Sequence, residues 1–440
     1  MPQQTTETKT DSVTNNNTHR QIAVIGGGLS GICTAYFLAA KGFEVAVLER
    51  RANVAEEATF GNSGLLAPGS AMPLTLPGRF ATFRCRFQDE PRVLLRSGID
   101  MARNRWMRGT RKAQQQEFAA NKLRLTRLSA YGQMLTRHLQ EHHALEHENS
   151  DGVIHLFRHA ADAARIPQLL EAAQQSELKH KAVDAEAIRL LEPAFASGAA
   201  LAGAIHYPQD QAGNCVLFAK QMRLAAQELG VVFHFGCTVK SLQPEFGGRV
   251  ALEVEAPQFE SSRLMVDGVV VAAGLQSANL LRPLGTVLPL HALESYSALV
   301  PIKNPDDAPN AALVDEAYKV AMTRIGNRIR ISGLLGFVSP SKTPPPKALR
   351  NLLKIAGDYY PNAANYNQAH FWSNSMALTP SGMPLLGPTL QGNVYVNVGH
   401  GASGWAASVG SSALVAEMLA GEEPAFDPEG LLLQHMPVAK

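Results

Sequence analysis

The stretch IAVIGGGLSGICTAYFLAAKGFEVAVLER, residues 22–50, decides the fold. It opens with a short apolar run, as a buried parallel strand would. Gly26, Gly28 and Gly31 then follow at the spacing G-x-G-x-x-G. Glycine at these positions permits a tight turn, lets the backbone approach a pyrophosphate and lets the next helix lie close to the strand. The stretch therefore predicts the first half of a nucleotide-binding unit.

The second half of the stretch completes that unit. Residues 29–40 predict a helix whose first backbone N–H groups would point at the phosphates. Gly42 ends the helix, and the segment FEVAVLE predicts a second strand that closes on Glu49. An acidic side chain there can accept hydrogen bonds from ribose hydroxyls and would repel a 2′-phosphate. The pattern predicts an ADP-containing cofactor without separating NAD from FAD.

Length and composition narrow the class of protein. A chain of 440 residues is long enough for two or three domains. Its hydrophobic share of 45% and charged share of 18% are typical of a globular protein. The net charge of +2 gives no reason to expect a nucleic-acid partner. The four cysteines are scattered without a CxxC pair, so we expect reduced thiols in a cytoplasmic protein, with neither a disulfide nor a metal site.

Two later segments repeat the order strand, glycine, helix. They are DGVVVAAGLQSANLL, residues 267–281, and NVYVNVGHGASGWAASVGSSALVAEMLAG, residues 393–421. Between them, YKVAMTRIGNRIRISG alternates around Gly326 and Asn327, as a β-hairpin would. We therefore expect the chain to return to one sheet after each insertion, which makes the nucleotide-binding domain discontinuous.

The region from Arg79 to Arg137 is rich in arginine and poor in acidic residues. Much of it lies within residues 91–143, where apolar residues recur mostly at helical spacing. Two interpretations stay open for these basic helices. They present a solvated helix face, or they contact an anionic membrane surface or another anionic partner.

Several motifs together resemble a known family. From residue 22 to about residue 421, the chain is similar to bacterial FAD-dependent D-amino acid dehydrogenases, within the wider D-amino acid oxidase-like group. Beyond the opening stretch, the segments that carry the resemblance are FGNSGLLAPGSAMPLTLPG (60–78), YPQDQAGNCVLFAKQM (207–222), LPLHALESYSALVPI (288–302), YKVAMTRIGNRIRISG (318–333) and GHGASGWAASVGS (399–411).

The resemblance implies an α/β fold and FAD as the cofactor. A discontinuous Rossmann-like FAD-binding domain would comprise residues 20–90, 200–285 and 373–440, after a disordered tail at residues 1–19. An α+β substrate domain with a mainly antiparallel β-sheet would comprise residues 91–199 and 286–372. The residues expected to contact FAD are Gly26, Gly28, Ser30, Gly31, Glu49, Arg50, Asn62, Ser63, Gly64, Val239, Ala273, Gly274, Gly399, His400, Gly401 and Gly404.

Parts of the cofactor are assigned to parts of this set. The resemblance places the adenosine ribose at Glu49, the adenine at the backbone of Val239 and the isoalloxazine at residues 62–64. The turn at residues 399–401 would bring a helix N-terminus beside the flavin. The positive end of a helix stabilises the negative charge that reduced flavin carries near N1 and O2.

The resemblance also implies an activity. The chain would oxidise a small amine, most simply the C–N bond of D-amino acids, giving an imino or oxo acid and ammonium after hydride transfer to flavin N5. The candidates for the catalytic pocket are Tyr296, His291, Arg324 and His400. For each of them the alternative is a structural role, as a residue packed in a strand or a turn.

The segment NSMALTPSG, residues 374–382, departs from the family pattern. The family has an arginine where Met376 stands, and a methionine cannot grip a substrate carboxylate bidentately. Glu294 reverses a charge near the expected site. Three readings stay open. Another cation, with Arg324 the nearest candidate, holds the carboxylate. The substrate is a different amine, with Glu294 favouring a cation. Or the chain binds FAD with weak or no amino-acid activity.

The electron acceptor is not visible in the sequence. A quinone would suit a dehydrogenase held peripherally on the inner face of the plasma membrane by its basic region, and oxygen is the alternative acceptor. A non-catalytic flavin-binding protein and an NAD enzyme are the alternatives from other classes.

Overall fold

The structure is a computed structural model that describes residues 20–76, 78, 93–95, 100–256, 259–337 and 345–433. The tail predicted at residues 1–19 lies outside the described residues, as do Cys85 and part of the basic region, including Arg79. The other three cysteines, Cys33, Cys215 and Cys237, are buried free thiols.

The described chain contains both strands and helices. The strands are β1 (Gln21–Ile25), β2 (Glu44–Glu49), β3 (Leu65–Leu66), β4 (Val93–Leu95), β5 (Ser150–Phe157), β6 (Lys181–Val183), β7 (Gly203–Ala212), β8 (Val232–Phe235), β9 (Thr238–Pro244), β10 (Val250–Ala256), β11 (Phe259–Val266), β12 (Gly268–Val271), β13 (His291–Pro301), β14 (Ala312–Asp315), β15 (Val320–Ile325), β16 (Arg328–Phe337), β17 (His370–Leu378), β18 (Leu385–Pro388) and β19 (Val394–Val398). The helices are α1 (Leu29–Ala40), α2 (Met101–Gln116), α3 (Phe118–His143), α4 (Ala160–Ala163), α5 (Ile166–Gln175), α6 (Ala185–Leu191), α7 (Cys215–Glu228), α8 (Ser277–Leu281), α9 (Pro346–Tyr359) and α10 (Gly404–Ala420).

A six-stranded sheet has the strand order β18-β19-β12-β1-β2-β8. Its strands pair in parallel, except for β18, which is antiparallel to β19. The central strand β1 is buried from Ile22 to Ile25, as expected where both faces of a parallel sheet are covered. Helices α1, α7 and α10 pack into one apolar cluster with this sheet. The predicted return of the chain to one sheet is therefore confirmed, because β1, β12 and β19 each lead into a glycine-containing turn and a helix.

A second, ten-stranded sheet has the order β17-β13-β16-β15-β14-β5-β7-β3, with β4 beside β16 and β6 beside β7. Most of its pairs are antiparallel. The predicted hairpin is present: β15 and β16 are joined by Gly326 and Asn327, and Ile325 pairs with Arg328. One face of this sheet packs against α9. The predicted fold class, a Rossmann-like domain joined to an α+β domain, is confirmed.

Helix α3 packs on the six-stranded sheet's side of the molecule. Leu125 and Leu128 share an apolar cluster with β1 and α10. The backbones of α3 and α10 touch, because a Cβ atom at Gly132 would lie 1.8 Å from the carbonyl oxygen of Ala406, and one at Gly410 would lie 2.5 Å from that of Leu128. Glycine is therefore needed on both helices for this approach.

The predicted domain ranges and the observed packing differ in particular elements. Helix α3 falls in the range predicted for the substrate domain but packs with the cofactor side. Strands β3 and β7 and most of β17 fall in ranges predicted for FAD binding but belong to the ten-stranded sheet. The division into two domains stays a prediction.

No helix among the described residues is both long enough and apolar enough to cross a membrane.

Candidate functional site

A cleft of about 770 Å³ runs along the six-stranded sheet to the edge of the ten-stranded sheet. Its lining includes the turns that follow β1, β12 and β19, the segment from Glu49 to Gly61, and the edge strand β17 from Trp372 to Ala377. The carboxyl ends of parallel strands are where ligands bind in open α/β sheets. The turns of all three strand–glycine–helix units therefore line the same cleft.

The first glycine turn is fixed by backbone contacts. Gly26 has a φ of +108°, which favours glycine, and its N–H donates to the carbonyl of Leu48 at 2.9 Å. A Cβ atom at Gly31 would lie 1.9 Å from the carbonyl oxygen of Gly26. Helix α1 can start this close to β1 only because Gly31 has no side chain, which points its first N–H groups into the cleft.

Glu49 closes one end of the cleft. Its carboxylate accepts hydrogen bonds from the backbone N–H of Gly27 at 2.5 Å and of Arg51 at 2.7 Å. These two hydrogen bonds hold the carboxylate at the end of β2, beside the first glycine turn. Arg50 lines the same end and makes a two-pronged ion pair with Glu57, whose carboxylate also accepts from Arg51.

The N-terminus of α10 lies at the other end. Gly399 has a φ of +84° and begins the turn that leads into the helix. Asn62 lies beside this helix start, because a Cβ atom at Gly404 would be 3.6 Å from its Nδ2 atom. The Asn62 Oδ1 atom accepts from the N–H of Gly64 at 2.8 Å. Loop and helix start thus approach each other.

Two features of the cleft are compatible with a bound cofactor. Packing would tolerate a side chain at Gly28, where a Cβ atom would meet only Thr59 at 3.6 Å, so the missing side chain leaves room for a ligand. Asn374 and Asn397 also line the cleft, and the Oδ1 atom of each is buried without a hydrogen-bond partner among the described residues. The fold itself therefore leaves two acceptors beside the cleft without a hydrogen bond. Most of the sixteen residues predicted to contact FAD line this cleft; Gly31, Asn62, Ser63 and Gly64 do not, although Gly31 and the loop lie directly behind its wall.

His400 lines the cleft but is already engaged in the fold. Its Nε2 atom shares a hydrogen bond of 2.7 Å with the Ser411 hydroxyl on α10. Burial lowers the pKa of His400 to about 4, so the ring is neutral at pH 7. These contacts favour the structural alternative for this histidine.

We expect two of the buried histidines, His147 and His400, to make the protein sensitive to acid. Burial also lowers the pKa of His147 to about 4. A histidine whose pKa is lowered in the folded state contributes full stability above its unfolded pKa, and that contribution is lost as the pH falls toward the folded value. For His400 this amounts to about 3 kcal/mol between pH 7 and pH 4. Denaturant unfolding at a series of pH values should show a flatter pH dependence for His400→Gln than for the wild type.

The control is His234→Gln, because His234 is exposed. It should leave the pH dependence of the unfolding free energy unchanged. Equal slopes for the wild type and His400→Gln would contradict the neutral, buried state of His400.

The structure does not bring the other three catalytic candidates to the lining of the cleft. Tyr296 packs in the apolar cluster under α9, on the opposite face of the sheet from residues 60–63. His291 lies beside Trp106, with ring centroids 5.4 Å apart. The Arg324 Nε atom donates to the carbonyl of Gly326 at 3.3 Å, at the tip of the hairpin. Because side chains alternate along a strand, Arg324 faces away from the side on which Thr323 contacts Ser63.

The two departures from the family pattern lie on neighbouring strands. Met376 lines the cleft and packs against the apolar cluster that contains Trp106. Glu294 is 3% exposed and accepts a hydrogen bond from the Ser375 hydroxyl. Burial raises the pKa of Glu294. The wall at Met376 is therefore apolar, and Glu294 lies behind it.

Sequence reasoning missed Arg330. This side chain is 8% exposed, and its Nη1 atom donates to the carbonyls of Phe60 at 2.7 Å and Asn62 at 3.1 Å. The only signal in the sequence is the alternation of Arg330 between Ile329 and Ile331, which is equally typical of a solvent-exposed strand face.

Known structures share this fold along nearly the whole chain. A glycine oxidase from Geobacillus kaustophilus superposes with a TM-score of 0.72, at 20% identity, covering 95% of this chain and 100% of that one. An L-amino acid deaminase from Proteus myxofaciens gives 0.70, at 15% identity, over 95% and 94% of the two chains. An iminodiacetate oxidase from Chelativorans sp. BNC1 gives 0.68, at 18% identity, over 93% and 98%.

The sequence itself matches a family. The family model DAO, FAD dependent oxidoreductase, matches residues 21–418, a range that includes two of the strand–glycine–helix units and all but the last three residues of the third. The chain therefore belongs to the DAO family of FAD-dependent oxidoreductases.

Proposed function

We propose that this protein binds FAD in the cleft and uses it to oxidise the C–N bond of a small amine, with D-amino acids as the first substrate class. The supporting observation is the cleft itself. It connects Glu49 and the first glycine turn to the start of α10 and to the edge strand β17 of the ten-stranded sheet.

The chain's own residues would hold FAD along its length. The N–H groups at the start of α1 would bind the pyrophosphate, and Glu49 would bind the ribose. The start of α10 and the loop at residues 60–64 would hold the isoalloxazine. When bound, FAD supplies a two-electron acceptor for hydride from the substrate α-carbon. Water then hydrolyses the imine to an oxo acid and ammonium.

The site suits a reaction that depends on positioning. Along the part of the lining from Trp372 to Ser408, His400 is the only titratable side chain among the described residues. Its low pKa and its bond to Ser411 leave it unsuited to carry a proton at pH 7. A neutral amine that loses hydride needs orientation rather than a dedicated base.

One observation favours a second candidate class, an amine without a carboxylate or a secondary amine. Met376 gives the lining an apolar surface where the family pattern has an arginine. No lysine or arginine occurs among the described lining residues from Trp372 to Ser408.

The electron acceptor and the membrane contact stay proposals. In the described part of the basic region, Arg105, Arg108 and Lys112 are exposed along one side of α2. Such a row suits an anionic surface, and a quinone acceptor would fit that location. Peroxide formed under air, compared with turnover on a soluble quinone analogue, distinguishes the oxidase from the dehydrogenase.

The proposal predicts that the purified yellow protein bleaches when an amine substrate is added without oxygen. Flavin absorbance is recorded for D-amino acids, glycine derivatives and amines that lack a carboxylate. Bleaching by D-amino acids supports the first class, and bleaching only by the carboxylate-free amines supports the second. A protein that carries FAD but bleaches with no member of the panel contradicts the proposed reaction, and a colourless protein contradicts FAD binding.

A further inference from the structure

Arg330 holds the loop that the resemblance places beside the flavin. It pairs across the hairpin with Thr323, so both side chains leave the same face of the sheet. The Arg330 Nη1 atom donates to the carbonyls of Phe60 and Asn62, and the Thr323 hydroxyl donates to the carbonyl of Ser63 at 2.9 Å. Three carbonyls of one short loop are thus turned into the sheet.

The direction of these three carbonyls also fixes the direction of the N–H groups that follow them in the loop. In a trans peptide the C=O of one residue and the N–H of the next point in opposite directions. The N–H groups of Gly61, Ser63 and Gly64 therefore point away from the sheet. Gly64 donates to Asn62 Oδ1, whereas the N–H groups of Gly61 and Ser63 have no partner among the described residues. Gly61 lines the cleft.

Arg330 is also a buried cation without an acidic partner. Burial lowers its pKa, and no carboxylate among the described residues lies close enough to oppose that effect. Its Nε atom is buried without a hydrogen-bond partner. A buried charge is unfavourable unless other groups compensate it. Carbonyl oxygens provide part of that compensation, and a negative charge developing nearby would add to it.

We propose that Arg330 is a positioning residue that presents the Gly61 N–H group to the flavin and makes the flavin easier to reduce. The proposal rests on the proposed binding of FAD. It assigns Arg330 two separable effects. The hydrogen bonds of the guanidinium shape the loop, and its charge favours the anionic reduced cofactor.

Three variants separate the two effects. Arg330→Met removes both, Arg330→Lys keeps the charge but not the forked donor, and Thr323→Val removes one loop contact but no charge. Arg328→Met is the matched control, because Arg328 is exposed on the same strand. FAD dissociation constants are measured by fluorescence, and flavin midpoint potentials by equilibration with reference dyes.

We expect FAD affinity to fall at least tenfold in Arg330→Met, and less in Arg330→Lys and Thr323→Val. The flavin midpoint potential should fall by about 30 mV in Arg330→Met. For a two-electron couple this equals a tenfold change in the equilibrium constant of reduction. The potential should stay near the wild-type value in Arg330→Lys, Thr323→Val and Arg328→Met.

Other results would overturn the proposal. One is an Arg330→Met protein with wild-type affinity and potential. Another is a raised KM for carboxylated substrates alone, which would make Arg330 a substrate anchor instead. If Arg330→Met does not fold, equal FAD affinities in the wild type, Arg330→Lys and Thr323→Val would also overturn the proposal. Wild-type protein that binds no FAD would refute the proposed function and not this inference alone.

Discussion

Gly31→Ala is expected to destabilise the protein and to abolish FAD binding. The new Cβ atom would lie 1.9 Å from the carbonyl oxygen of Gly26, which is a backbone atom and cannot rotate away. Helix α1 must then move off β1 and carry its N–H groups away from the place where we propose the pyrophosphate binds. Overpacking of this kind costs about 3 kcal/mol. Denaturant unfolding measures the loss of stability, and flavin fluorescence measures the loss of binding.

Gly28→Ala is the matched control three residues earlier. A Cβ atom there would meet only Thr59, at 3.6 Å, so the fold accepts it. The methyl group would project toward the cleft, so FAD affinity should fall. The free energy of unfolding should stay within about 1 kcal/mol of the wild-type value, which is the usual difference between glycine and alanine in a helix. If Gly28→Ala binds FAD as the wild type does, the pyrophosphate does not lie against this turn.

Met376→Arg is expected to raise kcat/KM for simple D-amino acids by about tenfold to a hundredfold. Met376 lines the cleft at the point where the family pattern has an arginine. A charge-assisted pair with the substrate carboxylate is worth about 1.5–3 kcal/mol. The measurement is steady-state turnover of D-alanine compared with ethylamine, which lacks the carboxylate. Only D-alanine should benefit.

Met376→Leu is the control for this substitution, because it keeps the apolar wall and adds no charge. It should leave the ratio of the two substrates unchanged. A folded Met376→Arg protein that carries FAD and shows the same ratio would count against the placement of Met376 beside the substrate carboxylate.

Local patterns in the sequence were enough to predict much of the fold. The helix predicted at residues 29–40 is α1, and the hairpin turn predicted at Gly326 and Asn327 joins β15 to β16. Glycine spacing and apolar periodicity act within a few residues, so one sequence is sufficient to read them. The three glycine units then placed most of the predicted cofactor contacts in one cleft.

Contacts between distant segments could not be predicted in the same way. Tyr296 lies in the expected strand, but which face meets the cleft depends on where α9 packs. Arg324 and Arg330 belong to one hairpin, yet only Arg330 contacts the loop at residues 60–62. The periodicity of the sequence shows that a strand has two different faces. It does not show which part of the protein packs on each face. The catalytic assignments therefore stay predictions, whereas the strands that carry them are observed.

The close contact between α3 and α10 at Gly132 and Gly410 limits how far α10 can shift along its axis. Gly410 meets α3 six residues after the helix begins at Gly404, a rise of about 9 Å along the axis at 1.5 Å per residue. A side chain at Gly132 would push on α10 through the Ala406 carbonyl, one turn or less from the cleft. The packing of α3 therefore helps to set how far the N-terminus of α10 extends into the cleft, although α3 does not line the cleft. Substitutions in α3 at this contact would therefore change the cleft through α10.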